Sequence, residues 1–117
     1  MTETEWEADV AEVSTLHHYA AMKIKVMTDY ECAPLWWDEA ERTGDIKPED
    51  LGLSLHLCTE LWAWAGTYDA TMDRNDPRLS GFASASDEYA FEEQGRLLAS
   101  AVASELPEWS VRYWRDA

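Results

Sequence analysis

The segment from Ser54 to Met72, SLHLCTELWAWAGTYDATM, constrains the fold more than any other part of the chain. Its apolar side chains recur at steps of three and four residues, a spacing that places them on one face of an α-helix. Ser54 follows a turn-forming Leu-Gly-Leu and is a favourable N-cap. The predicted apolar face contains Leu55, Leu57, Cys58, Leu61, Trp62, Trp64, Ala65, Tyr68 and Met72. So many large side chains need more than one neighbour to cover them, and we expect a core helix.

A second helix is predicted from about Asp87 to Glu105, with Ser84 or Ser86 as its N-cap. Acidic residues fill its first half, where the positive end of the helix dipole favours them. Its apolar seam contains Phe91, Leu98, Val102 and Leu106. Gly95 lies inside this helix and costs about 1 kcal/mol relative to alanine, so we expect a close approach of the first helix there.

Two segments alternate in polarity and are predicted strands, Lys23 to Tyr30 and Trp109 to Trp114. Residues 31 to 50 contain a proline and two turn sequences and are interpreted as mostly connection. The predicted fold class is therefore α+β and two-layered, in the order (α)-β-α-α-β, with two core helices packed on one face of a small sheet. A two-stranded sheet is marginal, so we expect the N-terminal segment, part of residues 31 to 50 or a second chain to complete it.

The side chains of Lys23, Lys25 and Arg112 are predicted to lie on the sheet face that points away from the helices. Residues 1 to 21 carry five acidic side chains and no lysine or arginine, so we interpret them as an acidic extension. An amphipathic helix from about Glu5 to Ala21 and a flexible arm both fit that segment. The single α+β domain is then expected to span residues 22 to 117.

The formal net charge is −15, which repels nucleic acid and anionic membranes and attracts basic partners. We therefore expect no direct nucleic-acid binding and no membrane association. Two cysteines do not make a disulfide framework, and the acidic N-terminus differs from a secretion signal. These features indicate reduced thiols and a cytoplasmic location.

The sequence offers no constellation that indicates catalysis. His56 and Cys58 are two residues apart in a predicted helix and point in different directions. Cys32 lies among acidic residues, which disfavour a thiolate. The spacing typical of zinc ligands, a glycine-rich phosphate loop and a nucleophile elbow are all missing from the sequence. We predict no catalytic residues, no metal site and no cofactor.

Three segments carry a resemblance to known proteins: KIKVMTDYECAPLWW, LWAWAGTYDATMDRNDPRLSGF and FEEQGRLLASAVASEL. They resemble a family of small bacterial proteins, frequent in actinobacteria and mostly uncharacterised. The resemblance covers about Met22 to Tyr113 and leaves the first 21 residues unmatched. In general character the chain is also similar to immunity proteins, which neutralise toxins.

Charge, tryptophan content and the missing catalytic constellation favour a non-catalytic binding protein, an immunity-type inhibitor of a basic partner such as a toxin. The expected partner-binding residues are Trp36, Trp37, Glu39, Glu41, Asp45, Glu49 and Asp50.

Three alternatives remain open at this stage. The acidic residues could imitate nucleic-acid phosphates, as an anti-restriction or anti-CRISPR protein would. The region from Tyr68 to Phe82 could bind a small ligand or catalyse a reaction, through Tyr68, Asp69, Asp73, Asn75 and Asp76. A homodimer could form through a sheet edge at the strand from Trp109 to Trp114.

Overall fold

The computed structural model describes residues 22 to 116, and the predicted N-terminal helix or arm lies outside them. Four strands form one mixed sheet in the order β3-β2-β1-β4. Their bounds are β1 Lys23–Val26, β2 Leu35–Trp37, β3 Asp45–Ile46 and β4 Ser110–Tyr113. Two long helices are α1, Leu55–Asp69, and α2, Ala85–Glu105, and two short 3-10 helices span Pro48–Leu51 and Pro77–Leu79. The α+β class and the packing of two helices against a small sheet are therefore confirmed.

The order of elements differs from the prediction, because residues 31 to 50 contain two strands. The chain runs β-β-β-α-α-β, with β2 antiparallel to β1 and β3 antiparallel to β2. Gly44, in one of the two predicted turn sequences, ends the connection between β2 and β3 and has φ 104°. Strands of three and two residues are too short to show an alternation of polarity, so neither was predicted as a strand. The expectation that part of residues 31 to 50 completes the sheet is confirmed.

The two predicted strands are present as β1 and β4, and they form a parallel pair. Strands β1 and β4 lie side by side with Ile24 opposite Val111 and Lys25 opposite Arg112. The predicted first strand is shorter than expected, since β1 ends at Val26. Ile24 and Val26 are fully buried, so the alternation correctly assigned the core face of the sheet.

Helix α1 begins after Ser54, whose hydroxyl accepts the Leu57 N–H as predicted for an N-cap. Its buried side chains are Leu57, Cys58, Leu61, Trp64 and Ala65. The prediction wrongly assigned two residues to the buried face of the helix, since Leu55 is 83% exposed and Trp62 is 37% exposed. The face predicted from periodicity was too wide, because the sheet and α2 cover only one side of the helix.

Gly95 of α2 allows the two helices and β4 to pack closely. A Cβ at this position would meet the rings of Tyr113 and Trp64, the latter at 2.6 Å from Cζ2. Both rings are buried, and the Trp64 indole donates to the Phe91 carbonyl at 3.0 Å. The predicted close approach at this glycine is confirmed, and it involves β4 as well as α1.

Candidate functional site

An acidic pocket opens where the β1–β2 connection, β3, the first 3-10 helix and α1 come together. Its volume is about 440 Å³. The residues that line it are Glu31, Cys32, Ala33, Asp45, Lys47, Asp50, Trp62 and Asp69. Four carboxylates and one ammonium group line the pocket, and one of the four, Glu31, also pairs with Arg74 at 3.0 Å. The lining still carries net negative charge, which favours a positively charged group.

Carboxylates of the pocket hold its backbone in place. The Glu31 N–H donates to Asp69 Oδ1 at 2.9 Å, and the Ala33 N–H donates to Asp45 Oδ2 at 2.6 Å. Glu31 has φ 62°, a left-handed conformation that is uncommon outside glycine. Glu31 lies inside the turn in which the Cys32 N–H donates to the Asp29 carbonyl, and this bond and the two above offset the cost of the conformation. The wall of the pocket is therefore preorganised.

Trp62 supplies the aromatic side of the acidic pocket. Its indole N–H donates to both carboxylate oxygens of Glu49, at 3.1 and 2.9 Å. Glu49 belongs to the 3-10 helix that follows β3, so this bond fixes the ring against the neighbouring element. A large, partly exposed and already ordered indole loses little entropy when a partner covers it.

The thiol of Cys32 lies in the same pocket but is unsuited to act as a nucleophile. Burial raises its pKa, and the negative charges of Asp45, Asp29, Asp69 and Glu31 raise it further. The thiol also donates to the Tyr30 carbonyl at 3.4 Å. Because a nucleophilic cysteine requires a thiolate, this environment favours an inert side chain.

The structure brings together three of the seven predicted partner-binding residues. Asp45 and Asp50 line the acidic pocket, and Glu49 borders it through Trp62. All three are exposed. They converge because β3 leads directly into the 3-10 helix, so residues 45 to 50 curve around one side of α1.

Trp36 and Trp37 lie elsewhere and point to opposite faces of the sheet. Trp36 is paired with Lys25 on the face away from the helices, whereas Trp37 is paired with Ile24 on the core side. Both side chains are half-buried. The Trp37 ring stacks on Trp109, with 6.0 Å between centroids, so much of its surface belongs to the core.

Glu39 and Glu41 belong to the β2–β3 connection and lie outside the acidic pocket. Glu39 accepts the Lys23 N–H at 2.9 Å and forms an ion pair with Arg42 at 3.1 Å. The Glu39 carboxylate therefore stabilises the β2–β3 connection to which it belongs. Glu41 is exposed beside it, in a shallow hollow that also contains Met22.

The residues predicted as a ligand loop mostly satisfy one another. Tyr68 stacks on Tyr30 with 4.6 Å between centroids, and burial raises the pKa of its hydroxyl. Asp73 Oδ1 accepts the N–H groups of Asn75 and Asp76, and Asp76 forms an ion pair with Arg78. Asp69 is the one predicted ligand-loop residue whose side chain lines the acidic pocket.

The open face of the sheet carries the predicted basic side chains next to acidic ones. Lys25 and Arg112 are neighbours in register, and the Arg112 guanidinium donates to Asp38 Oδ2 at 2.7 Å. That bond holds the pKa of the Asp38 carboxyl below its ordinary value. The open face is thus less positive than the strand pattern predicted, because Asp38 follows β2 onto the same side.

Sequence reasoning missed Trp62 and Glu31 as members of the site. For Trp62 a signal existed: Gly66 and Asp69 follow it by four and seven residues and therefore share its side of α1. A small and a charged neighbour on that side indicate a solvent-facing flank. Glu31 gave no such signal, because its position depends on the turn that connects β1 and β2.

Within residues 22 to 116, histidine, cysteine and acidic side chains do not gather in a group of three or more suited to a metal ion. Neither α1 nor α2, nor any other helix in that range, is long and apolar enough to span a bilayer.

Comparison with known proteins identifies the family. No curated protein sequence matches the chain closely. A family model described as Serratia CdiI immunity protein-like matches residues 22–116, which is most of the chain. The likeness to immunity proteins is thereby confirmed at the level of the family. The chain belongs to the Serratia CdiI immunity protein-like family.

Proposed function

We propose that this protein neutralises a basic toxin by placing its acidic pocket over a positively charged part of the toxin surface. Family membership supports the toxin-neutralising role, and the geometry of the pocket supports the choice of surface. In this proposal the protein acts in the cytoplasm, by stoichiometric binding and without catalysis. The observation that carries the proposal is the convergence of four carboxylates and Trp62 in one preorganised hollow.

The electrostatic part of the proposal concerns the rate of encounter. With a net charge of −15, the chain attracts a basic partner over distances of about a Debye length, about 8 Å at physiological salt. Lys47 is the one basic residue among those that line the pocket, so the local field has the same sign as the overall charge. Raising the salt concentration is expected to slow association more than it speeds dissociation.

The aromatic part concerns the stability of the complex. A lysine or arginine side chain that enters the pocket would place its charge near Asp45, Asp50 and Asp69 and its aliphatic stem against the Trp62 ring. Because Glu49 already fixes the Trp62 ring, a partner that covers the ring gains contact area without the entropic cost of ordering this side chain. Trp62 is accordingly proposed as the principal anchor of the interface.

Nucleic-acid imitation has weaker support. Along α2, Glu92 pairs with Arg115 and Glu93 pairs with Arg96, which interrupts the row of carboxylates that imitation of phosphates requires. For the region from Tyr68 to Phe82, the internal hydrogen bonds of the loop leave few polar groups to bind a small ligand. We therefore rank both alternatives below toxin neutralisation.

The test uses a candidate toxin encoded beside the gene for this chain. Purified protein is titrated against the toxin, and cells that express the toxin are scored for survival. Asp50→Asn removes an exposed carboxylate of the pocket, Trp62→Ala removes the anchor, and Glu108→Gln removes an exposed carboxylate elsewhere as a matched control. Trp62→Ala is expected to weaken binding at least about tenfold, and Asp50→Asn about threefold to tenfold, with Glu108→Gln unchanged.

The possible outcomes test two claims separately: that the protein neutralises the toxin, and that the acidic pocket is its contact surface. If the wild-type protein neither binds the toxin nor protects cells, the proposed function is wrong. If it does both, but Trp62→Ala and Asp50→Asn bind as tightly as the wild type, the acidic pocket is not the contact surface. Thermal unfolding of each variant checks that lost binding does not reflect lost folding.

A further inference from the structure

Gly66, in the middle of the exposed side of α1, has no structural reason to be glycine. Among the described residues, no heavy atom beyond its own stretch of helix lies within 4 Å of the position that a Cβ would occupy. Its backbone is helical and needs no left-handed conformation. Glycine here costs about 1 kcal/mol relative to alanine. Gly95 of α2 is the contrast, because Trp64 and Tyr113 leave no room for a Cβ there.

Gly66 belongs to an exposed ridge of α1 made of small side chains, the α1 crest, defined as Thr59, Ala63, Gly66 and Ala70. The Thr59 hydroxyl donates back to the Leu55 carbonyl at 2.9 Å, so its polar group is turned onto the helix. The crest is therefore a low, smooth surface on which another backbone can lie close to the helix.

The two flanks of the α1 crest differ. On one side Trp62 and Asp69 line the acidic pocket. On the other side α1 and α2 border a groove of about 660 Å³ with an apolar floor that includes Trp64, Phe82 and Phe91. One surface thus runs from the acidic pocket, over the crest, into the groove.

Charge complementarity indicates what the groove accepts. Its rim carries the carboxylates of Glu60 on α1 and Asp87 on α2, and both side chains are exposed. Apolar floor and acidic rim together fit a bulky apolar side chain with a lysine or arginine beside it. The same class of basic partner fits the acidic pocket on the opposite flank.

We propose that the toxin lies across the α1 crest, with its backbone against Gly66, a basic side chain in the acidic pocket and an apolar side chain in the groove. This proposal rests on the proposed function and extends it from one pocket to a surface centred on α1. This arrangement accounts for glycine at position 66, because a larger side chain there would keep the toxin from contacting the acidic pocket and the groove at the same time. The family match does not specify this arrangement.

The experiment measures toxin affinity for four variants. Gly66→Ala and Gly66→Leu add bulk to the crest, and Ala90→Phe fills the groove from the α2 side while leaving position 66 unchanged. Ser100→Leu places a leucine at an exposed position of α2 outside the groove, as the control. Gly66→Leu is expected to weaken binding at least about tenfold, Gly66→Ala and Ala90→Phe about threefold or more, and Ser100→Leu less than about twofold.

Each result is decisive for one part of the proposal. If Trp62→Ala weakens binding while Gly66→Leu binds like the wild type, the toxin does not cross the crest, although the proposed function stands. If Ala90→Phe binds like the wild type, the groove is not a contact. If the wild-type protein binds no toxin, both the proposed function and this extension fail. Because alanine at position 66 is expected to stabilise the helix, weaker binding by Gly66→Ala cannot be attributed to unfolding.

Discussion

Substitution of Gly95 by alanine tests the packing on which the arrangement of α1, α2 and β4 depends. Carbon atoms in contact prefer separations of about 3.5–4.0 Å. The new Cβ would lie 2.6 Å from Trp64 Cζ2 and closer still to the Tyr113 ring. One or more of these groups must therefore move by about 1 Å.

The surroundings make that movement costly. The Trp64 ring is stacked on Phe91 with 4.7 Å between centroids, and its N–H is bonded to the α2 backbone. The Tyr113 hydroxyl donates to Glu92. Overpacking of a fixed core costs typically about 1–3 kcal/mol, and we take the upper end because two anchored rings are displaced. Alanine has a helix propensity about 1 kcal/mol more favourable than glycine. The free energy of unfolding is therefore expected to fall by about 2 kcal/mol in Gly95→Ala.

Chemical and thermal unfolding followed by circular dichroism measures this loss. For a domain of about 100 residues, 2 kcal/mol corresponds to a fall in Tm of roughly 8–16 °C. Gly66→Ala is the matched control, the same substitution in an exposed helix, and is expected to raise stability by up to about 1 kcal/mol. If Gly95→Ala is as stable as the wild type, α2 does not pack against Trp64 and Tyr113 as closely as these distances require.

Two further predictions concern bonds between elements. Ser54→Ala removes the N-cap of α1 and the 2.7 Å bond from the Ser54 hydroxyl to Glu105 at the end of α2, and is expected to cost about 1–2 kcal/mol in urea unfolding. Thr59→Ala is its control and should stay within about 0.5 kcal/mol, since that hydroxyl serves its own helix. Asp38→Asn is expected to cost about 0.5–1 kcal/mol at pH 7, because it removes the charge paired with Arg112 at a partly exposed site. Since folding lowers the Asp38 pKa, its contribution is complete above about pH 4 and is lost as the pH falls through the lowered value. A difference between wild type and Asp38→Asn that is unchanged at pH 2 would contradict this assignment.

The helices could be predicted from the sequence because their signals are local. Ser54 caps α1 and Ser84 caps α2 through the backbone N–H three residues later, and both positions were expected. The two longer strands were found for the same reason, since β1 and β4 alternate in polarity. The predicted end of α1 at Met72 was three residues too late, because the last residues form a turn.

Of the candidate site, the sequence supplied the charges but not their arrangement. Asp45 and Asp50 were predicted to bind a partner, Asp69 was predicted in a ligand loop, and the three meet in one pocket. Trp36 or Trp37 was favoured as an anchor because adjacent residues of an extended chain cannot both face the core, and the pleat does send the two rings to opposite faces. The exposed tryptophan of α1 was assigned to the core, since periodicity reports a face without reporting how much of it is covered.

The sequence by itself determined the two helices, the two longer strands, the α+β class and the acidic character, because each depends on local spacing or on composition. Only the tertiary structure decided that residues 31 to 50 form two strands, that the acidic pocket exists and that Gly66 lies on an open crest while Gly95 lies in a crowded core. The physical reason is the same in each case: short strands, pockets and the space around a glycine are set by residues far apart in the chain.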